Sequence, residues 1–137
     1  MKTKSTFLFL ILSFLYLLLI SASCETSDPI VGDPGVPTIN NVSFTVTELG
    51  VSNDRLTASG KVRNNSSVKI TPPWYVEGQF YTDSTLTLKL GGDVTQISVP
   101  LERGVETLWT LQYSSQNISE GNYPNFRVSN LRAYYNE

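Results

Sequence analysis

Alternation of apolar and polar residues is the feature that most constrains how this chain can fold. From residue 41 onward, apolar side chains recur at every second position in seven short runs, which cover residues 42–46, 56–62, 74–80, 86–90, 97–101, 105–113 and 126–135. Successive residues of a β-strand point to opposite faces of a sheet, so each run predicts a strand with one buried face. No stretch of ten residues after Ile20 has helical periodicity. The sequence therefore predicts an all-β domain, either a β-sandwich or a small barrel.

Turn-forming residues separate the predicted strands. Asn, Asp, Ser and Gly cluster at residues 52–54, 64–67, 91–93 and 121–122, as expected for turns. In the last run the apolar residues change parity, and a β-bulge near residues 129–130 would return all of them to one face: Phe126, Val128, Leu131, Ala133 and Tyr135. The large aromatic residues expected in the core are Trp74, Phe80, Trp109 and Phe126.

Residues 1–23 have the layout of an export signal. Lys2 and Lys4 precede an apolar stretch of fourteen residues, 7–20, which is followed by three small residues, 21–23. A helix needs roughly 17–25 apolar residues to span a bilayer, so this stretch is too short for a membrane anchor. We therefore predict a signal peptide that is cleaved after residue 23.

Cys24, the only cysteine of the chain, follows this leader directly. The segment Ile20-Ser21-Ala22-Ser23-Cys24 resembles the lipobox of bacterial lipoproteins, although the usual aliphatic residue three positions before the cysteine is Ser21 here and Ile20 lies one step further back. The resemblance implies that Cys24 carries a diacylglyceryl group and acyl chains such as palmitate, which would hold the protein at a membrane. The alternative is a secreted protein with a free thiol, because Ser21 and Ser23 also permit ordinary signal peptidase cleavage.

Residues 24–41 predict an extended tether between the lipidated cysteine and a single folded domain, residues 42–137. Prolines at positions 29, 34 and 37 interrupt this segment, and each fixes φ near −65°. Glu25 stands where an Asp would often mark inner-membrane retention. The acidic stretch 25–28 loosely resembles surface-export signals of some Gram-negative lipoproteins. These resemblances favour the outer membrane of a Gram-negative bacterium, with secretion as the alternative.

Composition excludes several classes of function. The chain has no histidine, so Ser-His-Asp triads, histidine-based acid–base catalysis and His-ligated metals are excluded. Without the leader, eight Lys and Arg residues remain against twelve Asp and Glu. No basic cluster remains in the sequence, so nucleic acid and anionic lipid surfaces are poor candidate partners. The carboxylates match no calcium-loop motif, and no serine has an activating motif. We therefore expect no enzyme activity, no metal and no cofactor.

Three segments resemble the FxLYD-type sandwich domains of bacterial envelope proteins. Gly-Lys-Val-Arg-Asn at residues 60–64 matches their Gly-x-Val-x-Asn strand end. Phe-Tyr-Thr-Asp at residues 80–83 matches their aliphatic-Tyr-Asp motif with an extra Thr, and residues 99–104 match the Pro-Gly turn with the proline displaced. The resemblance covers roughly residues 42–135 and implies one immunoglobulin-like β-sandwich of about seven strands. It implies no catalytic residue, because the family has no common activity.

A row of polar and aromatic residues along the run 74–80 is the candidate binding face. Tyr75, Glu77, Gln79 and Tyr81 alternate with the residues expected in the core. They predict an exposed face that could stack against a sugar ring or receive a protein partner. The alternative is that Tyr simply favours β-strands and covers the second face of the sheet. Three tyrosines near the end of the chain invite the same hypothesis: Tyr123, Tyr134 and Tyr135.

Three further features are candidates for modification or assembly. Asp83-Ser84-Thr85 resembles a three-residue O-glycosylation signal of some Gram-negative bacteria, which makes Ser84 a candidate site. Asn-x-Ser triplets keep a eukaryotic secreted alternative open, and they begin at Asn41, Asn64, Asn65 and Asn117. The run 86–90 predicts an edge strand with Lys89 as its only charge.

The sequence thus predicts a lipid-anchored envelope lipoprotein that acts by binding or assembly rather than by catalysis. The alternative is a cell-surface module that binds a glycan or another ligand through exposed tyrosines. The expected partners are the membrane, through acyl chains on Cys24, and another envelope protein or a glycan. Nucleic acid is not an expected partner.

Overall fold

The described part of the chain consists of strands joined by loops. The computed structural model describes residues 36–119 and 121–136, so the predicted signal peptide, Cys24 and most of the predicted tether lie outside the described residues. Six strands form: β1 (Val42–Ser52), β2 (Arg55–Asn64), β3 (Trp74–Tyr81), β4 (Lys89–Ile97), β5 (Glu106–Ser114) and β6 (Arg127–Tyr134). Within the described ranges, no helix has the length and apolar character needed to cross a bilayer.

Two antiparallel sheets of three strands each enclose the core. The first sheet has the strand order β1-β2-β5 and the second has the order β4-β3-β6. The largest fully buried side chains come from both sheets and include Leu56, Trp74, Phe80, Trp109 and Leu111. The predicted all-β fold is therefore confirmed as a small β-sandwich, with six strands rather than about seven.

The alternation in the sequence determines which face of each strand is buried. In β2, every second residue from Leu56 to Asn64 is buried, and the residues that alternate with them lie on the outer face. The prediction for the aromatic core is also confirmed, because four rings are buried: Trp74, Phe80, Trp109 and Phe126. Rings of this size remove on the order of 150–250 Å² each from water, so they dominate the apolar core.

The predicted bulge in the last strand is present. Gln79 of β3 is opposite Ser129 of β6, whereas Glu77 is opposite Arg132. One residue of β3 therefore faces two residues of β6, which is the arrangement of a β-bulge. Asn130, one of these two, has a φ of 53°, a left-handed conformation that Asn tolerates better than most residues.

Two of the predicted strands and one predicted turn are wrong. The Gly-Gly-Asp segment 91–93, expected to be a turn, lies in the middle of β4, and this strand starts only at Lys89. Leu86, expected in a strand, lies in the preceding loop with a φ of 56°. β4 thus contains only the last two residues of the run 86–90 and the first residue of the run 97–101. This accounts for the missing seventh strand.

Contacts between the sheets explain why residues 91–93 are extended. A Cβ on Gly91 would lie 2.8 Å from Cδ2 of Tyr113 in the first sheet, and closer still to another atom of that ring. Asp93 accepts a hydrogen bond of 2.6 Å from the backbone N–H of Gln112. The glycine therefore marks a close approach between sheets rather than a turn.

The segment that resembles the Gly-x-Val-x-Asn strand end has a structural explanation at its first position. Gly60 lies against the ring of Trp109, and a Cβ there would lie 2.6 Å from Cζ2 of that ring. The same Cβ would meet the backbone carbonyl oxygen of Thr45 in β1. Only glycine lets the indole ring and the neighbouring strand approach this closely.

The last position of this segment, Asn64, connects two loops at one end of the sandwich. Its side chain is fully buried and donates through Nδ2 to the carbonyls of Val68 (2.8 Å) and Leu101 (3.0 Å). Its Oδ1 accepts from the backbone N–H (2.9 Å) and the hydroxyl (2.7 Å) of Ser66. These bonds join the β2–β3 loop, residues 65–73, to the β4–β5 loop, residues 98–105. We call this part of the molecule the Asn64 end.

The last residues of the predicted tether lie along the edge of the second sheet. Thr38 forms an isolated antiparallel bridge with Tyr134. The backbone N–H of Ile39 donates to the carbonyl of Ala133 at 2.8 Å, and that of Tyr135 donates to the carbonyl of Pro37 at 3.2 Å. Residues 37–39 thus cover part of the free edge of β6, which is one way in which proteins protect sheet edges.

Candidate functional site

The four residues of the predicted binding face lie on the outer side of β3, as the alternation requires. Their expected exposure is not found, however, because Glu77, Gln79 and Tyr81 are each more than nine-tenths buried and Tyr75 is partly buried. β3 is the central strand of its sheet, so side chains of β6 and β4 flank this row on both sides. We call the row together with Asn130, Arg132 and Tyr134 of β6 the outer-face cluster.

One half of the outer-face cluster is a closed set of hydrogen bonds. The Tyr81 hydroxyl donates to Oε1 of Gln79 at 2.8 Å. Nδ2 of Asn130 donates to the same Oε1 at 3.2 Å and to the Tyr81 hydroxyl oxygen at 2.8 Å. The bulge and the left-handed backbone of Asn130 bring its amide into this position. Each of the three side chains thus has two partners within the cluster.

The other half contains a buried ion pair. Nε of Arg132 donates to Oε1 of Glu77, and the exposed fraction is 21% for the arginine side chain but only 3% for the glutamate. A carboxylate that is removed from water needs such a charged partner, because an unpaired buried charge is very costly. Arg132 therefore compensates Glu77 on the outer face of the sheet.

Tyr134 and Tyr75 complete the cluster. Their rings stack with a centroid separation of 5.5 Å and an interplanar angle of 22°, and the guanidinium carbon of Arg132 lies 5.2 Å from the Tyr134 centroid. Burial raises the pKa of Tyr134, and the negative charge of Glu77 raises it further. The phenol therefore stays neutral at physiological pH, and its ring takes part in both a stacking and a cation–π contact.

These contacts determine what the outer-face cluster can do. The hydroxyl of Tyr81, the carbonyl oxygen of Gln79 and the carboxylate of Glu77 all bind neighbouring side chains. A ligand would have to break these bonds before it could use the same atoms. The geometry therefore favours the alternative stated for the sequence, in which the row covers and stabilises the outer sheet face.

Carboxylates outside the outer-face cluster also have structural partners. Glu102 pairs with Lys69 at 2.6 Å, and Glu106 lies 3.5 Å from Lys61. Across residues 36–119 and 121–136, no group of three or more His, Cys, Asp and Glu side chains has the geometry to hold a metal ion.

Ser84 lies in the exposed loop between β3 and β4. Beside it, Oδ1 of Asp83 accepts hydrogen bonds from the backbone N–H (2.8 Å) and the hydroxyl (2.5 Å) of Thr85. The hydroxyl of Thr85, and then its backbone N–H, lower the pKa of Asp83. The loop thus presents Ser84 on an ordered turn that a modifying enzyme could reach, and its glycosylation stays a prediction.

Comparisons with protein-family models, with curated proteins and with solved structures find no match to this chain. The resemblances to the lipobox and to FxLYD-type domains therefore depend on the quoted residues alone. Cys24 lies outside the described residues, so its lipidation also stays a prediction.

Sequence reasoning did not find the exposed apolar side chains of the Asn64 end. Val68 is 69% exposed, Val99 is 50% exposed and Val105 is 48% exposed. These valines lie in two loops that are far apart in sequence. No local periodicity could have grouped them, because it is Asn64 that joins the loops.

Proposed function

We propose that the chain is a lipid-anchored envelope lipoprotein whose β-sandwich acts by binding or assembly and has no catalytic role. Support for the anchor comes from the leader and from Cys24 at its end. Support for a binding role comes from the described surface, on which ionisable groups are used in structural bonds while several aliphatic side chains are exposed. The outer membrane is the proposed location.

The exposed residues beside β4 are the observation that carries the assembly proposal. β4 is an edge strand of its sheet. Leu86 (41% exposed) and Leu88 (61%) precede this strand, and Val94 (44%) lies on its outer face. Large aliphatic side chains on an edge strand are typical of surfaces that another protein covers. The partner is proposed to be another envelope protein that binds along this β4 edge.

The glycan-binding alternative has less support. A sugar site of this kind needs an aromatic ring with a free face and polar atoms that are free to bind hydroxyl groups. Tyr134 is stacked against Tyr75 and contacts Arg132, and the other polar groups of the outer-face cluster bind each other. The cluster is proposed to stabilise the sheet.

Co-purification from the native membrane tests the assembly proposal. The double variant Leu88→Ser/Val94→Ser should lose a partner protein that the wild-type lipoprotein retains. Leu108→Ser is the matched control, because Leu108 is 70% exposed but lies on the other sheet, in β5. A partner retained equally by all three proteins would contradict binding along the β4 edge.

A further inference from the structure

The chain enters the described fold at the Asn64 end. Residues 37–39 lie beside the last residues of β6, and the next residues lead into β1 at Val42. The backbone N–H of Asn65 donates to the carbonyl of Asn41 at 2.8 Å, which fixes this entry beside Asn64. Any attachment at Cys24 therefore reaches the sandwich from this side.

The same end carries exposed apolar side chains on loops whose backbone carbonyls accept hydrogen bonds from buried residues. The carbonyl of Val68 accepts from Nδ2 of Asn64 (2.8 Å) and that of Val105 accepts from the Asn64 backbone N–H (3.1 Å). The carbonyl of Val99 accepts from Nε1 of Trp74 at 3.0 Å. All three carbonyls are thus bound inward while the three valine side chains are about half exposed or more. Further apolar residues exposed at this end are Pro72, Pro73 and Pro100.

Basic residues gather around these valines although they form no cluster in the sequence. Four lie at this end and come from three separate segments: Lys61, Arg63, Lys69 and Arg103. Two carboxylates accompany them, and both take part in surface ion pairs, Glu102 with Lys69 and Glu106 with Lys61. Glu106 also lies 3.6 Å from Arg63. Among the described residues of this end, basic side chains thus outnumber carboxylates by two. The expectation that an anionic lipid surface is a poor partner considered the linear sequence only, and it stays untested.

The length of chain between Cys24 and the fold limits how far the sandwich can lie from the membrane. Val36 is twelve positions after Cys24, and a fully extended chain spans at most about 3.3–3.6 Å per residue, so the reach is about 40 Å. The strands rise about 3.3 Å per residue, which places the β3–β4 loop roughly 25–30 Å beyond the Asn64 end. This distance is shorter than the reach, so the length of the tether alone does not choose between the two ends. The Asn64 end is the one at which the tether joins the fold, and its surface decides whether it faces the membrane.

We propose that the Asn64 end lies on the bilayer surface, with Val68, Val99 and Val105 among the lipid headgroups. This inference rests on the proposed acylation of Cys24. Apolar side chains gain free energy at the headgroup–acyl boundary, and nearby Lys and Arg side chains are attracted to anionic headgroups. The acyl chains hold the domain near the membrane, and the valine-bearing loops then set its orientation. In this orientation β4 extends from the membrane side to the far end, where Leu86 and Leu88 lie.

Site-specific fluorescence on the full lipoprotein tests this orientation. Once Cys24 is acylated, an introduced cysteine is the only free thiol, so Val68→Cys and Val105→Cys can each be labelled with an environment-sensitive dye. Leu88→Cys is the matched control, because Leu88 is similarly exposed at 61% but lies at the opposite end. The labelled proteins are reconstituted in vesicles of phosphatidylethanolamine and phosphatidylglycerol that contain lipids with a nitroxide on the headgroup.

The expected result is at least a twofold quenching of the dye at both valine positions, with no quenching at position 88. Equal quenching at all three positions, or none at any, overturns the proposed orientation. Quenching that is lost when native membrane proteins are added to the vesicles also overturns it, because a protein then covers this end in place of lipid. The variant Val68→Ser/Val99→Ser, with the dye at position 105, should reduce the quenching at least twofold.

Flotation of the same vesicles separates this inference from the proposed function. A protein that floats with the vesicles but shows no quenching at the valine positions retains the anchor and refutes only the orientation. A protein that does not float refutes both the anchor and the orientation.

Discussion

Replacing Asn64 by Ala should destabilise the sandwich more than any exposed substitution on the same loops. The change removes all four hydrogen bonds of a fully buried side chain. Ser66 and the carbonyl of Val68 can turn to water, since both are only partly buried or exposed. The carbonyl of Leu101 retains the bond from the backbone N–H of Ile70 at 3.0 Å.

The expected loss follows from these contacts. Each hydrogen bond contributes a net of about 0.5–1.5 kcal/mol, and groups that can rehydrate recover part of it. Counting two bonds at full value and two at partial value gives a loss of about 3 kcal/mol. For a domain of about 100 residues this corresponds to a fall in Tm of roughly 12–24 °C.

Urea unfolding followed by tryptophan fluorescence measures this loss, in a Cys24→Ser background that escapes acylation. Asn65→Ala is the control, because Asn65 is exposed and makes one side-chain bond, to the Ser43 hydroxyl at 3.0 Å. Its loss should stay below about 0.5 kcal/mol. Equal losses for the two variants would refute the role assigned to Asn64 as the connection between the loops.

Three further predictions follow from the fold and the outer-face cluster. Gly60→Ala should lower the free energy of unfolding by about 3 kcal/mol or more, because the new Cβ meets a backbone carbonyl and the edge of an indole ring. Its control is Gly50→Ala, which should be close to neutral in the same urea assay, because no atom lies within 4 Å of a Cβ at that position. Arg132→Met should cost about 3 kcal/mol at pH 7 by leaving a buried carboxylate unpaired, and a loss below 0.5 kcal/mol would argue against a stabilising ion pair. The pKa of Asp83, measured by NMR at its carboxyl carbon, should lie below the ordinary value of 3.8 and should rise in the variant Thr85→Val. Because the fold lowers this pKa, the contribution of Asp83 to stability is present above pH 4 and is lost as the pH falls through the folded pKa.

The faces of the strands could be predicted from the sequence because they depend only on parity. The core position of Phe80, the outer position of Gln79 and the bulge beside Asn130 all follow from counting residues in twos. Parity does not say how well an outer face is covered. The burial of Glu77 depends on Arg132, and the two are opposite each other only once the bulge has set the register of β6.

Local turn signals were misleading where a contact between the sheets decides the structure. Gly91 is a turn residue by type, yet the ring of Tyr113 requires a glycine in an extended strand there. The valines of the Asn64 end could not be grouped in advance for a related reason. Val68 and Val105 are neighbours only because both of their carbonyls bind Asn64.

Attachment of lipid at Cys24 is the claim on which the proposed function and the orientation both depend. Mass spectrometry of the mature amino-terminal peptide tests it most directly. The account predicts that the mature chain begins at Cys24 and carries the added mass of a diacylglyceryl group with its acyl chains, and that a Cys24→Ser chain lacks this mass. A mature chain that begins at Cys24 or elsewhere without acyl chains would contradict the account.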